Sequence, residues 1–233
     1  MPEYYVTLPT REKAIEKYLV DRLSVYPDVQ IKTTFSHKFT CLEISSKMAC
    51  MRKIIASVLA SCVTLFYKYR VLEKLITDTE SVGIEYYSLI GALLGVELDD
   101  EIRTLEKRLM NSTAFDVEGI WNFRINDMID SWQGLTGLAS KLLDNCDTED
   151  DVYELTAFLV NLDKSTPPKV RIESEPFEIF VDDVKLVIGE LTDNENYNLI
   201  ASIMRERPLS IIVKNPEALD GKLLDAIRKL GAR

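Results

Sequence analysis

The residues best suited to chemistry are acids, thiols and one imidazole, and their spacing is the first test. Asp147, Glu149 and Asp151 alternate as at the start of a calcium loop. That loop needs glycine at its sixth position and a carboxylate at its twelfth, where this chain has Val152 and Phe158. Helix capping is the better expectation for these acids. Cys41, Cys50, Cys62 and Cys146 contain no CxxC pair, and His37 is the only histidine, so zinc spacing is absent. A Ser-His-Asp or Cys-His site would have to use His37, which falls in an expected hairpin turn. No GxGxxG or GxxxxGK[ST] phosphate loop occurs, and Gly134 with Gly137 forms a GxxG only in a helical context. Asp127 and Asp130 are spaced as acids commonly are on a solvated helix face. These residues give no catalytic constellation, and neither a cofactor nor a metal is expected.

The elements that would position such groups can be read from periodicity. Tyr4 to Leu8 is a short strand. Thr10 is placed to cap a helix from Arg11 to Val25, with Ala14, Ile15, Tyr18, Leu19 and Leu23 on one face. Val29 to Phe35 and Phe39 to Ile44 form a hairpin around Ser36, His37 and Lys38. From Lys47 to Ile76, apolar residues recur at three and four, from Met51 through Ile55, Val58, Cys62 and Leu65 to Leu72. Ser57, Ser61 and Thr64 make a row of small residues on that helix, suited to close helix approach and to hydroxyl bonds with backbone carbonyls.

Further helices are expected over Gly83–Leu94, ended by Gly95, and over Leu98–Met110. The second has Asp99, Asp100 and Glu101 at the positive end of its dipole. A long helix is expected from Asp116 to about Asn145, bending near Gly134 and Gly137. Thr148 and Asp151 resemble a capping box for a helix to Leu162. After a break at Lys164 to Pro168, a hairpin is expected over Val170–Ser174 and Phe177–Asp182. Thr192 and Glu195 then suggest a capping box for a helix to Arg205. A strand at Leu209–Val213 precedes a last helix that Asn215 and Pro216 open.

The predicted class is therefore α+β and mostly helical, with a central helical bundle and a small mixed sheet built from strands near both chain ends. Shared pairing of the two ends would leave fewer exposed edges than separate sheets. One domain is expected over residues 1–233, with a β-α-β-β segment at 1–45, a bundle at 46–163 and a β-β-α-β-α segment at 167–233.

Net charge is -10, distributed as +4 over residues 1–79, -12 over 80–166 and -2 over 167–233. An acidic centre disfavours nucleic acid as a partner, since phosphates need concentrated Lys and Arg. The uncharged run Ile54 to Tyr67 is shorter than the roughly 20 apolar residues of a membrane span, so a buried core helix is expected there. The start MPEYYVTLPTREK has no apolar signal segment. Four scattered cysteines suit a reducing compartment, and a cytoplasmic location is expected.

One segment carries a resemblance: Gly119-Ile120-Trp121-Asn122-Phe123-Arg124-Ile125-Asn126-Asp127-Met128-Ile129. It is similar to the G-F-x-x-F-R-L-x-x-Y helix entry of the YtxC-like sporulation protein family. The aromatic-Arg step falls on Phe123 and Arg124, with Trp121 near the other aromatic position and Met128 where the family has tyrosine. Val152 to Val160 and the later order of hairpin, helix, strand and helix also resemble that family. The resemblance implies a process, spore formation, and no assigned chemistry. Trp121, Phe123, Arg124 and Asp127 are the candidate interaction or structural residues. Arg124 is expected to pack its stem on Trp121 or Phe123 and to pair with Asp127. The reading that follows is a non-enzymatic cytoplasmic interaction protein, with an acidic surface suited to a basic protein partner. The alternative is an enzyme or small-ligand binder with a site assembled from dispersed polar residues.

Overall fold

A computed structural model of the chain describes residues 3–77, 82–112, 114–162, 167–174 and 177–231. The first half runs β1 (Glu3–Pro9), α1 (Lys13–Ser24), β2 (Gln30–Phe35), β3 (Phe39–Ser45), α2 (Met51–Leu72), α3 (Lys74–Thr77), α4 (Ile84–Leu94) and α5 (Leu98–Leu109). The second half runs β4 (Phe115–Asp116), α6 (Val117–Phe123), α7 (Asn126–Leu143), α8 (Glu149–Asn161), β5 (Lys169–Ser174), β6 (Phe177–Val181), β7 (Val184–Lys185), α9 (Glu195–Arg205), β8 (Ser210–Val213) and α10 (Gly221–Gly231). The class is α+β and mostly helical.

The chain divides into two compact units: Met1–Arg70 with Glu97–Trp132, and Val71–Val96 with Gln133–Arg233. The helices of residues 46–163 are thus shared between the two. The strands near the two chain ends also do not share a sheet. Among the described residues they form one four-stranded sheet in each unit, ordered β2-β3-β1-β4 and β7-β6-β5-β8. The single-sheet expectation fails because each sheet is completed within its own unit. Beyond its antiparallel partner β3, β1 takes Phe115 and Asp116 in parallel. Beyond β6, β5 takes β8 in parallel.

In the first unit, alternation does the sorting. Val6, Leu8, Leu42 and Ile44 are fully buried on one sheet face, as the two-residue period of a strand requires. The α1 residues Ile15, Tyr18, Leu19 and Leu23 are buried as expected, and Tyr18 meets Phe66 of α2 edge-on, 5.7 Å between ring centroids. Thr10 is not the α1 cap. Its hydroxyl donates to the Ser36 carbonyl at 3.2 Å, tying the β1–α1 corner to the hairpin turn, and α1 starts later, at Lys13. The stretch Met51–Ile76, made of α2 and the start of α3, is long and apolar enough to cross a membrane, and 78% of its most apolar window is buried within the fold. Ser61 donates to the Ser57 carbonyl at 3.0 Å, the backbone bond expected of the small-residue row.

In the second unit, α4 packs against both α8 and α9, and α10 packs on α8. Gly91 makes the α4–α9 approach possible, because a methyl group there would lie 2.7 Å from the Ala201 Cα. Gly95 follows α4 as expected but has right-handed φ of -74°. Space explains it: an added Cβ would meet the Arg205 carbonyl oxygen and lie 2.9 Å from the Arg207 Cγ. Thr148 and Asp151 do form a capping box. At α9 the cap is Asn194, whose side chain accepts from the Asn196 and Tyr197 N–H groups, with Thr192 Oγ1 accepting from Asn194 N–H just before it. Pro216 opens a short 3-10 turn, and Asp220 caps α10 by accepting from Lys222 and Leu223.

The expected long helix from Asp116 is broken at Arg124 and Ile125, between α6 and α7, while Gly134 and Gly137 lie within the continuous α7. A Cβ at either glycine would meet nothing within 4 Å. Gly134→Ala and Gly137→Ala should therefore each raise stability, by about 0.5–1 kcal/mol, through helix propensity alone. Denaturant unfolding checks this, and a loss at either site would show that α7 needs its glycines.

Candidate functional site

The break at Arg124 decides the fate of the motif residues. Trp121 is half-buried and stacks on Tyr67, 4.4 Å between centroids at 25°. The Tyr67 hydroxyl is pushed up to about 12, chiefly by burial. Phe123 is 80% exposed. Arg124 is exposed, and among the described residues its guanidinium makes no ion pair. The expected Arg124–Asp127 pair is replaced by Arg108 of α5, which binds Asp127 with both nitrogens at 2.8 and 2.7 Å and donates to the Arg124 carbonyl at 2.6 Å. The Arg108 hydrogen bonds hold the Asp127 carboxyl below its usual value. A three-residue spacing puts side chains on one face only within a continuous helix, and the break removes that condition. Phe123 and Arg124 instead edge a cleft of about 270 Å³ over Leu109, Phe115 and Ile120.

A larger cleft, about 760 Å³, lies between α8 and α10 in the second unit. Asp150, Glu154 and Phe158 follow one another along α8 at four-residue spacing, which places them on one stripe. The cleft is lined by these with Tyr153, Ala157 and Lys229. Phe158 is 56% exposed. Tyr153 is buried with its hydroxyl pushed up by burial, and Lys229 sits 5.0 Å from its ring centroid. Asp150 holds Lys229 at 2.7 Å, and Asp225 lies at 3.8 Å. The Asp150 hydrogen bond raises the Lys229 pKa, keeping it charged. The first unit holds 15 basic and 15 acidic side chains, and the second 13 and 23. All of the net charge therefore belongs to the unit that carries this cleft, and sequence thirds had blurred that division. The missed sequence signal for the stripe is one phenylalanine in line with two acids on α8.

A third constellation is internal. Lys68 of α2 is 1% exposed at its side chain and meets both Glu101 oxygens at 3.0 and 2.9 Å. Trp132 Nε1 donates to the same carboxylate at 2.8 Å. Burial pushes Lys68 down and Glu101 up, and each group opposes the other's shift. In the sequence, Glu101 is placed only as an acid at the positive end of the α5 dipole. The missed signal is Lys68 itself, which stands three residues after Leu65 and four before Leu72, on the apolar stripe.

Asp151 is fully engaged in capping, accepting from Asp147 N–H, Thr148 N–H and the Thr148 hydroxyl at 3.0, 2.7 and 2.8 Å. All four cysteines are free thiols. Among the described residues, no group of three or more His, Cys, Asp or Glu is placed to hold a metal ion. Comparison of the chain with protein-family models, curated proteins and solved structures found no match.

Proposed function

We propose that the chain is a non-enzymatic protein-interaction module whose acidic second unit docks a basic, amphipathic segment of a partner protein in the α8–α10 cleft. The observation that carries this reading is Phe158, an exposed aromatic ring in line with Asp150 and Glu154 along the α8 wall of the cleft, in the unit with all the net negative charge. Burying such a ring contributes about 1.5–3 kcal/mol, while rim carboxylates steer and select a cationic partner more than they tighten it. The resemblance to YtxC-like proteins suggests spore formation, in the cytoplasm, as the process to search.

A labelled Lys/Leu amphipathic helical peptide tests the chemistry directly by fluorescence anisotropy. It should bind the full chain, weaken as salt rises, and bind far better than a Glu/Leu counterpart. Phe158→Ala and Glu154→Lys should each weaken it about tenfold or more. Equal binding of the two peptides, or binding untouched by both substitutions, would remove the cleft as the docking site.

A further inference from the structure

The β2–β3 hairpin tip, in the first unit, gathers features that the acidic cleft does not explain. Phe35 and Phe39 flank its turn and are 59% and 46% exposed. They are not a stray pair of surface rings, because the tip is braced. Ser36 N–H donates to the Phe39 carbonyl at 2.8 Å, and Thr10 N–H donates to the Lys38 carbonyl at 3.0 Å. With the Thr10–Ser36 hydroxyl bond, these fix the start of α1 beside the turn. Arg11, Lys13 and Lys38 are thereby brought to one end of the sheet. Lys13 lies 4.7 Å over the Phe35 ring.

The charges here are sorted by exposure. Arg11 is 79% exposed at its side chain and lies 3.7 Å from its neighbour Glu12, which is 10% exposed and held by Arg70 through its other oxygen. Lys13 likewise stands out in solvent, while its partner Glu16 is turned inward. The acids are sunk and occupied, and the cations face out around two apolar rings.

Register sets the shape of this patch. Phe35 pairs with the buried Thr40, and Phe39 is the next residue along β3, so the two rings leave the hairpin on opposite faces. The hairpin end is thus a wedge with one ring on each face and a cationic collar. A single nucleic-acid strand needs neighbouring flat stacking platforms along a cationic groove, which a wedge does not offer. A bilayer interface accepts aromatic rings end-on and rewards cations beside them when its lipids are anionic. We propose that this tip docks the chain peripherally on an anionic lipid surface, with Phe35 and Phe39 entering the headgroup layer and Arg11 and Lys38 meeting lipid phosphates.

Co-sedimentation of the full chain with vesicles tests this. Binding is expected to phosphatidylcholine vesicles containing phosphatidylglycerol and not to phosphatidylcholine alone. R11E with K38E should weaken binding by about fivefold or more per site, and F35S with F39S should weaken it about tenfold, with thermal melts confirming that both variants fold. In F39W, the difference emission against the parent should shift to the blue on anionic vesicles. The proposal is overturned if the parent chain does not sediment with anionic vesicles, or if either double variant binds as the parent does. An unshifted F39W emission in vesicle-bound protein overturns it too. So does tight binding of a single-stranded oligonucleotide without vesicle binding, which would assign the tip to nucleic acid.

Discussion

Glu101→Ala is expected to cost about 3–5 kcal/mol of folding stability, the loss typical when one side of a buried ion pair is removed. The carboxylate takes hydrogen bonds from both Lys68 and Trp132, so its deletion strips compensation from a buried ammonium and a buried indole N–H together. The variant's pH dependence has a definite sign. Burial already lowers the Lys68 pKa, and Glu101 is the first of the groups that raise it. Without that carboxylate the folded state binds fewer protons than the unfolded chain between the depressed lysine value and the ordinary one near 10.4. Stability of the variant must rise with pH across that window. Its deficit should be largest at and below neutrality and shrink toward alkaline pH. A joint Lys68→Met, Glu101→Leu change should cost far less than E101A, because apolar pairs often replace buried ion pairs at little loss. Urea unfolding of the single and double variants at several pH values settles it, and an E101A loss below about 1 kcal/mol would show that the pair is more solvated than its burial indicates.

Gly91→Ala offers a contest between two effects of opposite sign. Helix propensity alone favours alanine by about 1 kcal/mol. Packing opposes it, since the new methyl would meet the Ala201 backbone, including its Cα at 2.7 Å. Backbone atoms of a packed helix cannot swing aside as a side-chain end can, and overpacking of this kind costs about 1–3 kcal/mol. The net result should be destabilisation, larger for Gly91→Val. Ala201→Gly should fail to rescue either variant, because the obstruction is main chain. Stabilisation by G91A, or rescue by A201G, would show that α4 and α9 are less tightly packed than described.

Local signals were read well where one residue decides one bond. The Thr148–Asp151 capping box, the Ser36–Lys38 turn and the core faces of α1 and α2 depend on neighbours in sequence. The failures share a different cause. Thr10 had the right type for a cap, yet its hydroxyl found the Ser36 carbonyl, a partner set by tertiary pairing. Arg124 stood three residues before Asp127, but a two-residue helix break gave that carboxylate to Arg108. The fourth strand of the first sheet is only Phe115 and Asp116, too short for any periodicity to show. The acidic cleft needs α10 beside α8, a pairing between helices 60 residues apart that no local pattern records. Composition placed acidity in the middle of the chain, whereas folding divides that middle: residues 97–132 (net -5) join and balance residues 1–70 (net +5), while residues 71–96 (net -3) and 133–233 (net -7) make up the second unit.

That regrouping also has a consequence for synthesis on the ribosome. The apolar helix α4 emerges early, but its partner α9 follows only after about a hundred more residues, a wait of roughly 5–20 s at usual elongation rates. During that interval Leu89, Ile90 and Leu93, all buried in the finished fold, have at most the α8 side of their eventual cover. The first unit cannot close in the meantime without spooling this segment out as an insertion between Arg70 and Glu97. The nascent chain is therefore most exposed to misassociation in the middle of its translation.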